Sequence, residues 1–290
     1  MANWMTLVLA ELGYLLLFYL PVGGLVLWFY LKRRKQESET VAPFEELKRR
    51  PAGESNRLRV EELNEKMDPW LMQILTVPLL LAVLLILTKS SLAAVIVFFL
   101  FSVGLCAVAY FRLRPLIHAR ACYRLGFHGE RYVAEELNDL MAEGFRVFHD
   151  VPFESYNMDH VLVGPTGVFV VETKTKRKRR RGGDKLYRVV FDGERLQFPN
   201  GWDTDALEQI KRNRRTLSQW LSSSTGDRIT AEGVITIPGW FIERSVRSTI
   251  HVVNPKEIRS LVTNSTGHRM SSAEIQRASH QLEQKCKLPV

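Results

Sequence analysis

The chain of 290 residues has little cysteine and lacks the short motifs of several enzyme classes. Its three cysteines, Cys106, Cys122 and Cys286, are scattered and form no Cys-x-x-Cys pair. Such a set argues against a disulfide framework and against a zinc knuckle. There is no P-loop, no Gly-x-Gly-x-x-Gly after a predicted strand, no His-Glu-x-x-His and no serine or cysteine in a nucleophile setting. These absences exclude the common nucleotide-binding, zinc-peptidase and covalent-hydrolase interpretations.

Charged residues are missing from three long stretches near the beginning of the chain, at residues 12–31, 69–88 and 92–111. Each has about 20 residues, the length of a helix that crosses the hydrocarbon core. The sequence therefore predicts three transmembrane helices. A cleaved signal peptide is the alternative for the first stretch, but the stretch is too long and no basic segment precedes it.

Basic residues beside these stretches predict the orientation of the protein. Residues 32–35 follow the first stretch, and Arg112 and Arg114 follow the third. Both clusters should be cytoplasmic under the positive-inside rule. We therefore expect a multi-pass protein of the inner (cytoplasmic) membrane that contacts lipid through three helices, with its N-terminus outside and residues 112–290 in the cytoplasm.

The polar part of the chain shows an α/β pattern after residue 118. We expect a membrane region over residues 1–118 with a cytoplasmic link at 32–68, an α/β domain over 119–254 and a helical segment over 255–290. The predicted strands are 145–151, 158–164, 167–174, 186–192, 195–198, 233–237 and 249–253, and the predicted helices are 129–141, 204–221, 255–262 and 271–285.

One predicted helix carries an acidic residue in line with its apolar face. Glu130 stands at helical spacing from Val133, Ala134 and Leu137. Burial of an unpaired charge is costly, which suggests a functional carboxylate. The alternative is a first-turn glutamate that the helix dipole favours.

A predicted hairpin brings two more acidic residues together. If the turn at residues 164–167 closes symmetrically, Asp159 lies opposite Glu172, because each is five residues from its flanking glycine. Glu172 and Lys174 share one strand face. Opposed carboxylates repel each other, whereas a bound Mg²⁺ would turn that repulsion into coordination. Lys174 could then orient or activate an attacking water.

Two alternatives to this arrangement remain open from the pattern. A turn with a left-handed glycine bulge would shift the pairing by one residue and move Asp159 to the other face. The three charges could also belong to an edge hairpin and face solvent. Alternation points the neighbouring His160 away from Asp159, so we expect His160 to pack in the interior.

The chain is basic, with a formal net charge of +9, which suggests an anionic partner. Two groups of basic residues flank the predicted acidic site and favour nucleic acid binding. For the first group the alternatives are a contact with anionic lipid and a solvated charge run. The groups are Lys176, Arg177, Lys178, Arg179, Arg180 and Arg181, and then Lys211, Arg212, Arg214 and Arg215.

Four segments in this order resemble the nuclease-related domain, NERD, of the PD-(D/E)XK nuclease superfamily. They are Gly129-Glu130, Met158-Asp159-His160, the turn at residues 163–168 and Glu172-Thr173-Lys174. The resemblance covers roughly residues 125–240. It implies a restriction-endonuclease-like core in which helices flank a mixed β-sheet.

The resemblance also implies roles for individual residues. Asp159 and Glu172 would be ligands of Mg²⁺ (or Mn²⁺), with Glu130 at the edge of the metal site, and Lys174 would be the catalytic lysine. Gln209 matches a glutamine on the helix after the hairpin, although it could equally be a surface helix residue.

From these features we expect a membrane-anchored, metal-dependent nuclease that hydrolyses DNA phosphodiester bonds at the cytoplasmic face of the membrane. Foreign DNA is a conjectured target, because a nuclease tethered at the membrane would suit the degradation of incoming DNA. The alternatives are a catalytically silent, nucleic-acid-binding membrane tether and a membrane scaffold that binds anionic lipid. The sequence does not identify which proteins, if any, it binds.

Overall fold

The computed structural model describes residues 24–25, 27–32, 35, 49–87, 91–178 and 187–287. The chain divides into two compact units. The first consists of residues 1–46 and 71–110, and the second of residues 47–70 and 111–290. The residues immediately before the second apolar stretch therefore belong to the same unit as the C-terminal half.

Two long helices contain the second and third apolar stretches. They are α1 (Glu54–Leu87) and α2 (Leu92–Asn138). By length and composition alone, both could cross a membrane, with mean hydropathies of 1.7 and 2.8 over their apolar windows. The predicted span at 12–31 lies largely outside the described residues, of which 27–32 are helical. Within the described part of the chain there are thus two candidate spans.

Both helices are longer than the apolar stretches predicted. Helix α1 begins at Glu54 rather than at residue 69, so residues 54–68 of the expected link are helical. Ion pairs at i,i+3 and i,i+4 spacing, such as those of Arg57 with Glu54 and Glu61, stabilise this polar part of the helix. Helix α2 continues to Asn138 and absorbs the separately predicted helix at 129–141. Hydropathy marked only the apolar part of each helix.

The second unit is built on a five-stranded mixed sheet with the order β1-β2-β3-β7-β9. A 3₁₀ turn (Asp139–Glu143) leads from α2 into the first strand. Strands β1 to β3 are antiparallel, whereas β7 and β9 continue the sheet parallel to β3. The strands are β1 (Arg146–Pro152), β2 (Asn157–Gly164), β3 (Gly167–Thr173), β7 (Ala231–Thr236) and β9 (Ile250–Val253).

The β2–β3 hairpin closes symmetrically. Gly164 pairs with Gly167, and the same register continues to His160 opposite Val171. The next step of this register places Asp159 opposite Glu172. The bulged register is therefore excluded. Gly164 also leaves space for the ring of Phe145, since a Cβ at position 164 would lie 2.2 Å from that ring.

A second, four-stranded sheet has the order β6-β5-β4-β8, with β4 to β6 between β3 and β7 in the sequence and β8 directly after β7. Its strands are β4 (Arg188–Phe191), β5 (Leu196–Phe198), β6 (Gly201–Asp203) and β8 (Phe241–Arg244). Strands β6 and β8 were not predicted, because Gly-Trp-Asp and Phe-Ile-Glu-Arg show no alternation of apolar and polar residues. The α/β class with mixed sheets and flanking helices is confirmed.

The five-stranded sheet is covered on both faces. On one face Val161 and Val170 pack with apolar side chains of α3 (Asp205–Thr225) and α5 (Ser272–Cys286). On the other face, Leu162 and Phe169 pack against the end of α2 and against α4 (Pro255–Thr263). The strands that carry the acidic residues are thus held in a rigid core.

The end of α2 approaches the residues after β3 very closely, and Gly129 makes this possible. A Cβ at position 129 would lie 2.0 Å from Thr175 Cγ2. The absence of a side chain there lets the helix place the next residue, Glu130, beside the sheet.

Replacing Gly129 by alanine should therefore destabilise the second unit. We expect its free energy of unfolding to fall by about 1–3 kcal/mol, the usual cost of overpacking. Urea unfolding of the detergent-solubilised chain, followed by tryptophan fluorescence, measures the change. Gly104→Ala in the same helix is the matched control, since its new Cβ would meet no atom within 4 Å. Equal stability of Gly129→Ala and wild type would contradict the close approach.

Candidate active site

Three acidic side chains from α2, β2 and β3 meet at one end of the five-stranded sheet. Glu130 and Glu172 are each 6% exposed, and Asp159 is half-buried. The backbone N–H of Thr173 donates to Asp159 Oδ2 at 2.7 Å, which ties the aspartate to β3. The structure thus brings together the three carboxylates predicted as metal ligands.

The three carboxylates hold protons more tightly than usual. Loss of solvent is the largest cause for each of them. It raises the pKa of Glu130 to about 9, with help from the charges of Asp159 and Asp150. It raises the pKa of Asp159 to about 7. Burial and the neighbouring Asp159 and Glu130 raise the pKa of Glu172 well above its ordinary value.

Two cationic side chains offset part of this repulsion. Lys174 and Arg212 both act to lower the pKa of Glu172, and Lys174 does the same for Asp159. Lys174 is held in place by Asp203 at the end of β6, with 3.0 Å between Nζ and Oδ2. Asp203 also accepts a hydrogen bond from the backbone N–H of Ala206 in the first turn of α3. The predicted catalytic lysine therefore lies between the acidic cluster and the second sheet.

Helix α3 contributes a residue that the sequence analysis missed. Asn213 is fully buried, and its Nδ2 donates to Glu172 Oε2 at 3.3 Å. Its Oδ1 has no hydrogen-bond partner among the described residues. The predicted Gln209 lies one turn earlier and is half-buried, and no described hydrogen bond joins it to the carboxylates. The i+4 spacing from Gln209 was the signal that could have identified Asn213.

Strand β1 contributes a fourth acidic residue that was also missed. His149 pairs with His160, and Val151 pairs with Met158, so Asp150 is level with Asp159 in the register. Asp150 is 2% exposed and has a left-handed φ of 46°, a conformation that aspartate tolerates better than most residues. The sequence pattern did not identify Asp150, because two successive residues, Asp150 and Val151, are buried there and the alternation of the strand is interrupted.

His160 lies on the opposite side of the sheet from Asp159, in the interior. Its side chain is fully buried. Its Nδ1 lies 2.9 Å from Nδ1 of His149, and its Nε2 lies 3.2 Å from Thr173 Oγ1. Burial lowers the pKa of His149 to about 4 and that of His160 well below its ordinary value. The pair is neutral and serves as a hydrogen-bonded part of the core.

The donor set fits a hard cation that keeps much of its own hydration. Among the described residues, no three His, Cys, Asp or Glu side chains form a group that could hold a metal by themselves. Mg²⁺ does not require such a cage, since it binds through one or two carboxylates together with water and substrate phosphates. The opposed Asp159 and Glu172, with the partnerless Oδ1 of Asn213 beside them, match that requirement.

The first basic group lies partly against the second sheet. Lys176 Nζ is 4.0 Å from the ring centroid of Phe198 and 3.5 Å from Asp203 Oδ2. Lys178 Nζ is 5.6 Å from the ring centroid of Trp240, and Arg177 is exposed. Arg179, Arg180 and Arg181 lie outside the described residues.

Three members of the second basic group, Lys211, Arg214 and Arg215, line one surface cavity. Arg212 lies over the ring of Tyr156 at 4.7 Å and is close enough to Glu172 to act on its pKa. Lys211 pairs with Glu208 at 2.9 Å. Arg214 donates to the backbone oxygen of Thr249 at 3.5 Å, and Arg215 is exposed.

Exposed aromatic residues on the second sheet were not identified from the sequence. Trp202 and Phe241 are 52% and 56% exposed. Arg195 lies 3.6 Å above the ring of Trp202, and Arg188 lies 5.7 Å from that of Phe241. Aromatic rings with adjacent cations are typical of surfaces that bind unpaired nucleotides.

Glu172→Gln should stabilise the metal-free protein at alkaline pH. An unfolded glutamate ionises near a pKa of about 4.3, whereas the folded Glu172 retains its proton to a higher pH. Folding therefore binds a proton, and this contribution to stability is lost as the pH rises towards the folded pKa. At pH 8 we expect the variant to melt roughly 2–8 °C above wild type, with a difference that shrinks towards pH 4.5.

Glu232→Gln is the matched control for this measurement. A hydrogen bond from His251 is the main reason that the pKa of Glu232 is lowered. Because the folded protein stabilises this carboxylate, replacing it should lower the melting temperature at pH 8. Melting is followed by scanning fluorimetry in EDTA. A melting temperature of Glu172→Gln below that of wild type at pH 8 would contradict the claim that the Glu172 carboxylate opposes folding.

Comparison with known proteins finds one family model that matches part of the chain. Residues 125–238 match the family model of the nuclease-related domain, NERD. No curated protein matches the chain. Among solved structures, SfsA of Pyrococcus furiosus in complex with Ca²⁺ is similar at 16% identity and a TM-score of 0.21, over 53% of this chain and 51% of that one, so the chain spans about half of that relative. Residues 125–238, which include Glu130, Asp159, Glu172 and Lys174, are thus similar to the nuclease-related domain.

Proposed function

We propose that this protein is a membrane-anchored, Mg²⁺-dependent nuclease that hydrolyses DNA phosphodiester bonds at the cytoplasmic face of the membrane. The observation that carries the proposal is the opposition of Asp159 and Glu172 on two inner strands, at one end of a rigid sheet, with Lys174 beside them. The nuclease-related domain that contains these residues supports the same activity.

A purely structural role does not explain the acidic cluster. Three carboxylates with raised pKa values oppose folding at neutral pH, because each must either keep a proton or be ionised beside another charge. Asp159 and Glu172 would hold the cation, with Glu130 at its edge. Bound Mg²⁺ polarises a phosphoryl oxygen and stabilises the charge that develops on the phosphate.

The chain's own residues provide the remaining requirements of hydrolysis. The Lys174 ammonium group is anchored by Asp203 and can donate hydrogen bonds to a phosphate oxygen or to the attacking water. Attack by the water oxygen forms a new bond to phosphorus and breaks the bond to the leaving sugar oxygen, while the water gives up a proton and the leaving oxygen takes one up. Asn213 fixes the orientation of Glu172 from the other side.

Nucleic acid is the substrate class that the surface around the site fits best. Arg212 lies beside Glu172, and Lys176 follows the catalytic lysine along the chain. Cations of this kind neutralise backbone phosphates without reading sequence. The exposed Trp202 with Arg195 adds a surface on which a base could stack.

Membrane anchorage rests on different observations. Two helices could cross a bilayer by length and composition. Side chains of their apolar parts remain exposed, including Leu75 at 70% and Phe99 at 66%, as expected of surfaces that meet lipid. The basic residues at 32–35 and after residue 111 support a cytoplasmic location for the domain.

The full chain in nanodiscs of neutral lipid should cleave plasmid DNA with Mg²⁺ or Mn²⁺ and should not cleave it with EDTA. Asp159→Ala and Lys174→Ala should each lower the rate by at least about 10²-fold, because each removes a group that acts on the reacting phosphate. Gel analysis of supercoiled and linear DNA measures the rate and separates nicking from end resection.

Glu143→Ala is the matched control, since Glu143 is an exposed carboxylate in the 3₁₀ turn and pairs with Arg259 of helix α4. It should retain full activity. Metal-independent cleavage, or equal cleavage by Lys174→Ala and wild type, would contradict the proposal. DNA binding without any cleavage would instead indicate the silent tether.

Replacement of Arg177 and Lys178 by serine should weaken DNA binding and its salt dependence. Each lost phosphate contact should lower the slope of log K against log salt concentration by about 0.9. Fluorescence anisotropy in the Asp159→Ala background measures the slope without cleavage. Lys256→Ser, in the separate helix α4, should leave it unchanged. An unchanged slope together with lost binding to vesicles containing phosphatidylglycerol would favour the lipid-binding scaffold.

A further inference from the structure

A short segment outside the matched domain contacts the acidic cluster. Residues 49–57, here called the N-terminal clamp, precede and begin helix α1. Asn56 Nδ2 donates to Glu130 Oε1 at 2.5 Å, and the backbone of Gly53 also acts to lower the pKa of Glu130. The bond from Asn56 is the side-chain hydrogen bond that Glu130 receives among the described residues.

The clamp is anchored at its other end on Asp150. The two atoms Arg50 Nη2 and Asp150 Oδ2 are 2.5 Å apart, and the Asp150 side chain is 3% exposed. Ser55 Oγ donates to Asp150 Oδ1 at 2.7 Å. Asn157 of β2 completes the cluster, since its Nδ2 lies 3.1 Å from the same oxygen.

The clamp also fits the end of α2 closely. Gly53 adopts a left-handed φ of 77° against the ring and backbone of Phe127. A Cβ at Gly126 would lie 2.8 Å from Asn56 Nδ2, so the amide lies directly on the helix that carries Glu130. Both glycines allow contacts that a side chain would prevent.

We propose that the N-terminal clamp is part of the active site, with Asn56 and Gly53 as positioning residues for Glu130 and the Arg50–Asp150 ion pair as their anchor. The inference rests on the proposed function, in which Glu130 lies at the edge of the cation site. The functional nuclease unit therefore begins near residue 49 and exceeds residues 125–238.

The chemistry of the contact distinguishes positioning from simple packing. An amide donor directed at one carboxylate oxygen orients that group and favours its ionised form, which is the form that a cation needs. Groups that orient a metal ligand in this way typically change metal affinity by about 10–100-fold when they are removed.

Mn²⁺ affinity of the full chain in detergent tests the inference without relying on catalysis. The electron paramagnetic resonance signal of free Mn²⁺ gives the dissociation constant. Asn56→Leu, which nearly conserves volume but cannot donate, should weaken binding by about 10–100-fold. Arg59→Leu, in the same helix but outside the clamp, removes an arginine that pairs with Glu62 and should leave the affinity unchanged. If Asn56→Leu fails to fold, Asn56→Ala removes the same donor without adding bulk.

A double-mutant cycle shows whether Asn56 acts through Glu130. In the Glu130→Gln background, Asn56→Leu should change Mn²⁺ affinity by less than about twofold, because the contact that it removes is already altered. An equal loss in both backgrounds, or no loss in the wild-type background, would overturn the inference.

DNA cleavage measured on the same samples separates this inference from the proposed function. If the cycle behaves as expected and wild type does not cleave DNA, the clamp is supported and the nuclease is contradicted. If wild type binds Mn²⁺ and cleaves DNA but Asn56→Leu matches it in affinity, only the clamp is overturned. If wild type binds no Mn²⁺, both are overturned.

Discussion

Repulsion among buried carboxylates is the interaction around which the second unit is organised. The charge of Asp159 helps to raise the pKa values of both Glu130 and Glu172, and Glu130 helps to raise that of Glu172. Lys174 and Arg212 compensate only part of that charge. Without a cation, such a cluster lowers the stability of the fold. With a cation, it forms a site where a divalent ion and a phosphate can be held together.

The rest of the fold holds these groups in place despite their repulsion. The symmetric β2–β3 turn fixes which face Asp159 occupies, and packing on both sides of the sheet prevents a slip in register. Gly129 lets helix α2 approach the strand end closely. Asp203 and Asn213 then fix Lys174 and Glu172 from the second sheet and from α3.

Local patterns predicted the parts of this arrangement that depend on short stretches of sequence. The five strands of the main sheet and helices α3 to α5 followed from period and turn signals, and the facing of Asp159 and Glu172 followed from the Gly164–Gly167 turn. Asp150 and Asn213 were missed because their importance arises from contacts between distant segments. The true start of α1 was missed because hydropathy does not report helix that is stabilised by polar contacts.

Calorimetric titration of the full chain with Mg²⁺ or Mn²⁺ at pH 7, in two buffers of different ionisation enthalpy, tests the central claim most directly. Carboxyl groups that keep their protons at this pH must release them when a cation binds. We expect binding accompanied by net proton release in wild type, and no binding in Asp159→Asn. The absence of binding to wild type, or equal binding to Asp159→Asn, would contradict a cation site at the acidic cluster.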